Sequence, residues 1–126
     1  MLDHHMISAE PDVIAPDGSE IRLLGQVDAA SFVHCTLNPG DITQAVAHKT
    51  VTEMWYVISG KGELWRKLGD EESIITMQAG ISLTIPLGAH FQFRATGDEP
   101  LRFVIVTMPP WSGNDEAYQV PGKWDV

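Results

Sequence analysis

The chain alternates between apolar and polar residues in short runs, which are separated by glycine, proline, aspartate and asparagine. Successive side chains of a β-strand point to opposite faces, so this alternation predicts strands that each bury one face. Turn residues recur about every ten positions, a spacing typical of an antiparallel sandwich or barrel. The predicted strands are Glu20–Leu24, Ala30–Leu37, Ile42–His48, Met54–Ile58, Glu63–Lys67, Ser73–Met77, Ser82–Ile85, Phe91–Ala95 and Leu101–Thr107.

Turn residues and the two chain ends complete this outline. Ser59–Gly62 contains two glycines, which adopt positive φ without steric cost, and it predicts a tight hairpin. Pro109–Pro110 ends the last strand, because proline has no amide hydrogen for the ladder. In the C-terminal tail, a short helical turn is predicted around Asn114–Ala117. At the other end, the first dozen residues are expected to be loose or to lie against a partner chain. The aromatic residues of the tail are expected to pack over the barrel or against a second subunit: Trp111, Tyr118 and Trp124.

Composition and charge narrow the classes of partner. The chain has 126 residues, 44% of them hydrophobic, which is enough for one core, and residues 1–126 are predicted to form a single domain. With 17 acidic and 8 basic residues, the formal net charge is −9, and such a surface repels phosphate backbones and anionic lipid. Neither nucleic acid nor a membrane is therefore an expected partner.

Cysteine content and the N-terminus bear on the compartment. Cys35 is the only cysteine, so the chain cannot form an internal disulfide, which suits a reducing environment. The N-terminus has no basic region followed by an apolar run, and no apolar stretch approaches the roughly 20 residues of a membrane helix. The sequence therefore predicts a cytoplasmic protein without a signal peptide.

Two glycine-bounded motifs carry the most specific information. The first motif contains Gly40, His48, Glu53 and Gly60, and the second contains Gly80, Pro86, Gly88 and His90 and continues through Phe91-Gln92-Phe93-Arg94. Together they resemble the paired motifs of the cupin superfamily, over about residues 38–108. The resemblance implies a small single-domain cupin, which is an all-β, double-stranded β-helix (jelly-roll) barrel. Residues 109–126, which begin at the two prolines, are expected to form a C-terminal tail, and the protein is expected to be a homodimer.

The resemblance also implies where metal ligands would stand. Cupins often bind a metal through two histidines and a glutamate of the first motif and a histidine of the second. Here His48 and Glu53 match the second-histidine and glutamate positions, while Val46 stands at the first-histidine position and Phe91 at the last one. Valine and phenylalanine cannot coordinate a metal, so only part of the family's ligand set is present.

His90 precedes the expected histidine position by one residue, and a one-residue shift exchanges the faces of every side chain in a strand. In one register Phe91 and Phe93 face inward, while His90, Gln92 and Arg94 meet solvent. In the other register a bulge turns His90 inward. Polarity favours the first register, because glutamine and arginine then stay hydrated.

Metal binding depends on this register. If His90 faces inward, His48, Glu53 and His90 form the two-histidine, one-carboxylate set that suits iron, manganese or zinc. If His90 faces outward, two ligands are too few, since a catalytic transition-metal site usually takes about three protein ligands. His34 on the preceding strand could then help only if it faces inward. Because polarity favours an outward His90, the sequence favours a site without a divalent metal.

Without metal, His48 and Glu53 can form an acid–base pair. A carboxyl group near Trp55 and the phenylalanines loses solvation, which raises its pKa, so an imidazole can exchange protons with it near neutral pH. The alternative is a purely structural interior histidine that is hydrogen-bonded to Glu53.

A barrel of this kind holds one ligand-sized cavity, predicted to be mostly apolar and to suit a small organic molecule. Its expected lining is Val46, His48, Glu53, Trp55, Phe91 and Phe93, with Gln44 near the mouth. Three functions remain open. The first is a small-molecule-binding cupin in which His48 and Glu53 catalyse isomerase, cyclase or lyase chemistry. The second is a metal-dependent enzyme such as a dioxygenase, and the third is a non-catalytic binding or sensing module.

Overall fold

A computed structural model, which describes residues 2–126, has eleven strands and one short 3₁₀ helix. The strands are β1 (Val13–Ile14), β2 (Glu20–Val27), β3 (Ala30–Leu37), β4 (Val46–His48), β5 (Thr52–Ser59), β6 (Lys61–Leu68), β7 (Glu71–Gln78), β8 (Ser82–Ile85), β9 (His90–Ala95), β10 (Leu101–Met108) and β11 (Ala117–Gln119). No α-helix occurs within residues 2–126. The predicted all-β fold class is therefore confirmed.

The strands form two antiparallel sheets. One sheet has the order β1-β2-β3-β10-β5-β8, and the other has the order β11-β4-β9-β6-β7. Strands β5, β8 and β10 alternate between buried and more exposed residues, as in β5, where Glu53, Trp55 and Val57 are buried and Met54 and Tyr56 are exposed. The buried faces of the two sheets therefore meet in one apolar core.

The chain crosses from one sheet to the other at Gly60, where the sequence predicted a hairpin. That prediction is wrong, because β5 and β6 lie in different sheets and do not pair. Gly60 has a φ of 81°, and a Cβ atom there would lie 2.3 Å from the Pro100 carbonyl oxygen. Only glycine fits this corner without a shift of the backbone. A hairpin does form between β6 and β7, where Leu68 pairs with Glu71.

The predicted strand Ile42–His48 is shorter than expected. Only Val46–His48 is a regular strand, whereas Ile42 makes a single bridge to Arg94. The Thr43 backbone N–H donates to the Phe93 carbonyl, and the Thr43 hydroxyl accepts the Phe93 N–H at 3.0 Å. Because a side-chain hydroxyl replaces a backbone carbonyl as the acceptor, the regular ladder is interrupted here.

Both chain ends are held against the sheets. The predicted helical turn is present as a 3₁₀ helix over Asn114–Glu116, and it leads into β11, which pairs with β4 and was not predicted. At the other end, the Arg22 guanidinium donates to the carbonyl oxygens of Ser8 and Ala9, so these residues lie along β2 rather than being loose. Residues 2–126 include no helix with the length and hydrophobicity needed to cross a membrane.

Candidate functional site

A cavity of about 880 Å³ lies between the two sheets and is open on one side. Two walls matter for its chemistry. The polar wall is formed by β3, β5 and β10, and the apolar wall is formed by β4 and β9. Six of the residues predicted to line a pocket do line it: Val46, His48, Glu53, Trp55, Phe91 and Phe93. Gln44 does not, since its side-chain oxygen accepts a hydrogen bond from Gln119 outside the lining.

Glu53 is the central ionisable residue of the polar wall. The register of β5 and β10 places it directly opposite Thr107, so the two side chains share the inward face. One carboxyl oxygen accepts a hydrogen bond from the Trp55 indole N–H at 3.0 Å, and the other accepts one from the Thr107 hydroxyl at 2.7 Å. Glu53 is only 5% exposed.

Burial controls the protonation of Glu53. Loss of solvation raises its pKa to about 7, and the negative charges of Asp17 and Glu116 act in the same direction. The hydrogen bonds from Thr107 and Trp55 favour the ionised form and oppose this shift. Near neutral pH the Glu53 carboxyl group is therefore present in both protonation states.

His48 projects from the apolar wall. Its ring makes edge contacts with Phe91 and Trp111, at centroid distances of 5.2 and 5.4 Å. Burial lowers its pKa to about 4, although the Glu116 carboxylate raises it slightly. The side chain is consequently a neutral imidazole at pH 7. Its Nδ1 atom is buried and has no hydrogen-bond partner within residues 2–126.

His48 and Glu53 face one cavity from different sheets, but no hydrogen bond joins them. Both Glu53 oxygens bond to Trp55 and Thr107 instead. The alternative of a purely structural histidine that is hydrogen-bonded to Glu53 is therefore wrong. Proton exchange between the two residues would require a ligand or water between them.

Strand β9 has the first of the two registers considered above. Phe91 and Phe93 face the cavity, whereas His90 lies opposite Lys67 of β6 and does not line the cavity. His48, Glu53 and His90 thus do not converge, and no group of three potential metal ligands occurs within residues 2–126. His34 offers no substitute, because it lines a separate outer pocket beside Arg22 and Arg102.

Gln92 is an exception to the predicted exposure of β9. It faces outward but is only 1% exposed, because the C-terminal tail covers it. Its amide donates to the carbonyl oxygens of Thr43 and Trp124 and accepts the backbone N–H groups of Lys123 and Trp124. A buried glutamine of this kind needs such partners, and nothing in the local pattern around Gln92 indicates that the tail would supply them.

The tail also closes part of the cavity. Its Trp111 backbone N–H donates to the Ser31 hydroxyl, and the Trp111 ring packs on His48, as expected for an aromatic residue lying over the barrel. Trp124 instead stacks on the Arg94 guanidinium outside the barrel, at 4.3 Å. Tyr118 is 42% exposed.

Sequence reasoning missed Asp17, Cys35 and Thr107 as cavity residues. Asp17 accepts hydrogen bonds from the backbone N–H and hydroxyl of Ser19, and burial raises its pKa. Burial also raises the pKa of the Cys35 thiol well above its ordinary value, so Cys35 remains a thiol. Asp17 stands in a turn that looks like a surface loop in the sequence. The pairing that brings Thr107 beside Glu53 spans 54 residues and leaves no local signal.

Comparisons with known proteins agree with this architecture. The sequence profile of the cupin domain family matches residues 33–107. A comparison with curated proteins gave no match. Among solved structures, a conserved protein with a double-stranded β-helix domain from Klebsiella pneumoniae is 22% identical, with a TM-score of 0.67 over 82% of this chain and 84% of that one. The predicted double-stranded β-helix is thereby confirmed.

Two larger proteins contain a similar fold. Oxalate decarboxylase from Bacillus subtilis is 21% identical with a TM-score of 0.72, and 88% of this chain covers 29% of that protein. The capsular polysaccharide assembling protein CapF from Staphylococcus aureus is 17% identical with a TM-score of 0.71, and 92% of this chain covers 32% of it. The chain thus spans about a third of either protein, and at these identities the likeness concerns the fold alone.

Proposed function

This chain belongs to the cupin family, and from that premise we propose that its cavity binds a small organic molecule with which Glu53 exchanges a proton. The observation that carries the proposal is a carboxyl group in a mostly apolar cavity whose pKa is raised to about 7. A general acid or base works best when its pKa lies near the operating pH. Isomerisation, cyclisation and elimination (lyase) reactions all need such a proton transfer.

The surroundings of Glu53 support a proton donor or acceptor held in one position. Trp55 and Thr107 each donate to one carboxyl oxygen, which limits rotation of the group. Each oxygen of a carboxylate can accept a second hydrogen bond, so both existing bonds can persist while a ligand approaches. The side chain therefore needs little reorganisation before a proton moves.

His48 has a different role in this proposal. As a neutral imidazole in the apolar wall, it can donate a hydrogen bond from one ring nitrogen and accept one at the other. A ligand between the two walls would contact His48 on one side and Glu53 on the other. His48 then orients the ligand, and Glu53 supplies or removes the proton.

The residues present do not fit the metal of the family's ligand pattern. Val46 and Phe91 occupy two of its ligand positions and are 3% and 2% exposed, so they fill the space in which a ligand would project. His90 faces away from the cavity. The proposed proton transfer at Glu53 uses no metal, and the dioxygenase alternative has no ligand set among these residues to support it.

One observation favours the non-catalytic alternative, in which the cavity only binds or senses a molecule. Both Glu53 oxygens already have protein partners, as expected for a carboxyl group that stabilises the fold. The test must therefore separate binding from turnover.

The experiment is a two-step screen. A panel of small apolar and aromatic compounds is first tested for thermal stabilisation of the protein, and each binder is then followed by NMR for conversion. We expect conversion of at least one binder, and Glu53→Gln should lower its rate by about 10²–10⁴-fold, the usual contribution of general acid–base catalysis. Glu63→Gln is the matched control, because Glu63 pairs with Arg94 on the outer surface.

Conversion that persists unchanged in Glu53→Gln would contradict the assigned role of Glu53. Binding without conversion across the panel would favour the non-catalytic alternative. The homodimer and the cytoplasmic location stay predictions, and sedimentation velocity of the purified protein tests the first of them.

A further inference from the structure

The cavity has an unusual charge distribution for a small-molecule site. Its lining contains the carboxyl groups of Asp3, Asp17 and Glu53, but within residues 2–126 no lysine or arginine lines it. His4 and His5 also line it, but they and Asp3 are all exposed, where solvent screens any charge, so the lining away from these exposed residues carries only Asp17 and Glu53 as carboxyl groups. The remaining basic group, His48, is a neutral imidazole at pH 7.

We propose that this cavity selects its ligand by charge: it accepts neutral or ammonium-bearing aromatic molecules and rejects carboxylates and phosphates. The inference rests on the proposed function only in taking the cavity as the ligand site. It goes further by naming the class of ligand.

An anionic ligand would have no cationic partner in the cavity. A carboxylate or phosphate that enters an apolar site loses hydration, and only a paired cation or several hydrogen-bond donors can compensate for that loss. The described lining contains no Lys or Arg cation, and the acids Asp17 and Glu53 would repel an anion. A dianion such as oxalate would lose the hydration of two negative charges without a cation to compensate for either.

Aromatic rings line both walls of the cavity. Trp55 packs edge-on against Phe91 and Phe93, at centroid distances of 5.6 and 5.3 Å, and these three rings line the cavity together with Trp111. Aromatic rings attract an ammonium group that lies within about 6 Å of the ring centroid. They also pack on an aromatic ligand, so the same walls suit a neutral aromatic ring.

An ammonium group in the cavity would meet the carboxyl groups of Asp17 and Glu53. Asp17 and Glu53 interact electrically, because the charge of Asp17 contributes to the shift of Glu53. A cation between them would relieve their repulsion and favour the ionised forms. Glu116 is a further buried acid whose charge acts on both Glu53 and His48.

The test uses three compounds of nearly equal size and different charge: 2-phenylethylamine, 2-phenylethanol and phenylacetate. Binding to the intact protein is measured by calorimetry at pH 7.5, with tryptophan fluorescence as a second signal because Trp55 and Trp111 line the cavity. We expect phenylacetate to bind at least about tenfold more weakly than the alcohol, and the amine to bind at least as tightly as the alcohol. Equal or tighter binding of phenylacetate would overturn the inference, and so would the absence of binding by all three compounds.

Two further measurements assign the effect to the cavity carboxyls. Glu53→Gln and Asp17→Asn should each narrow the difference between phenylacetate and the alcohol, whereas Glu63→Gln, which removes the same charge from the outer surface, should not. If Asp17→Asn fails to fold, the wild type alone suffices. Raising the pH from 6 to 8 ionises Glu53 and should weaken phenylacetate binding more than alcohol binding. Equal changes for both compounds would contradict the inference.

These outcomes are separable from failure of the proposed function. If the alcohol and the amine bind in the expected order but no compound is ever converted, charge selection stands and proton transfer fails. If phenylacetate binds best while Glu53→Gln still abolishes turnover of another compound, proton transfer stands and charge selection fails.

Discussion

Glu53 on the polar wall and His48 on the apolar wall are both buried, but their pKa values are shifted in opposite directions. On the polar wall, both oxygens of Glu53 have hydrogen-bond partners, and its pKa is raised from 4.5 to about 7. On the apolar wall, Nδ1 of His48 has no partner within residues 2–126, and its pKa is lowered from 6.5 to about 4. Burial favours the neutral form in both cases, but it moves an acid and a base in opposite directions.

In this cavity the usual order of the carboxyl and imidazole pKa values is reversed. In water an imidazole is more basic than a carboxylate, whereas here the Glu53 carboxylate takes up a proton at higher pH than His48 does. A single proton available to both residues therefore resides on Glu53. This assigns the acid to the polar wall and leaves His48 as a neutral hydrogen-bonding group.

The largest expected effect is a pair of opposite pH dependences of stability. For Glu53, the folded state binds the extra proton between pH 4.5 and 7, so its stabilisation is complete below pH 4.5 and is lost as the pH rises through 7. For His48, the unfolded state binds the extra proton between pH 4 and 6.5, so its stabilisation is complete above pH 6.5 and is lost as the pH falls through 4. Between pH 4.5 and 6.5 the two slopes oppose each other.

Replacing one of the two residues should leave only the other residue's contribution to the pH dependence of stability. In Glu53→Gln the free energy of unfolding should rise by about 3 kcal/mol between pH 4 and 6.5, and in His48→Gln it should fall by about 3 kcal/mol between pH 4.5 and 7. Urea unfolding across this range measures both. The difference between the two variants cancels contributions from other groups such as Asp17 and His34. If the free energy of unfolding changed with pH in the same way in both variants, the opposite pKa shifts of Glu53 and His48 would be refuted.

The second prediction is that two substitutions in the apolar wall create a metal site. Val46 lies directly opposite Phe91 in the register and on the same face as His48, so Val46→His/Phe91→His should place three imidazoles near Glu53. We expect the double variant to bind cobalt(II) at least about 100-fold more tightly than the wild type does. Loss of even a residue that only hydrogen-bonds a metal ligand lowers metal affinity by about 10–100-fold. The cobalt absorption spectrum measures the binding. Adding His48→Ala should reverse the gain, and no gain at all would mean that more than these two residues excludes a metal.

The third prediction concerns the hydrogen bond from Thr107 to Glu53 on the polar wall. Thr107→Val removes the hydroxyl that donates to Glu53, and since that bond favours the ionised form, the Glu53 pKa should rise further, by about one unit. Above pH 8 the free energy of unfolding should fall by about 1–2 kcal/mol, because a buried carboxylate oxygen loses its partner. NMR titration of the Glu53 side chain measures the shift. Thr84→Val, at an exposed position of β8, is the control and should change neither quantity.

The smallest expected effect comes from the tail. Trp111→Ala uncovers one side of His48, so its pKa should rise from about 4 toward 6.5, by about one unit, as solvation returns. NMR titration of the imidazole ring protons measures this. Trp124→Ala removes a tail aromatic outside the barrel and should leave the His48 pKa unchanged. Equal shifts in both variants would point to a general loosening of the tail.

Much of the barrel was predictable from local pattern. Alternation in β5 and β10 correctly indicated strands, and polarity correctly favoured the register of β9 in which Phe91 faces inward. The failures share a cause. Gly60 looked like a hairpin glycine, but the chain changes sheets there, and Gln92 looked solvent-exposed, but the tail covers it. Both depend on segments distant in sequence.

The sequence by itself determined the inward face of the motif strands, because side chains alternate along a strand and a one-residue shift would expose the whole apolar set. It thus determined that His48 and Glu53 are interior, and that Val46 and Phe91 replace two ligands. Tertiary structure alone decided what these residues touch. Pairing of β5 with β10 supplies Thr107 to Glu53, and the tail brings Trp111 onto His48. Protonation depends on those neighbours and on burial, which no local pattern encodes.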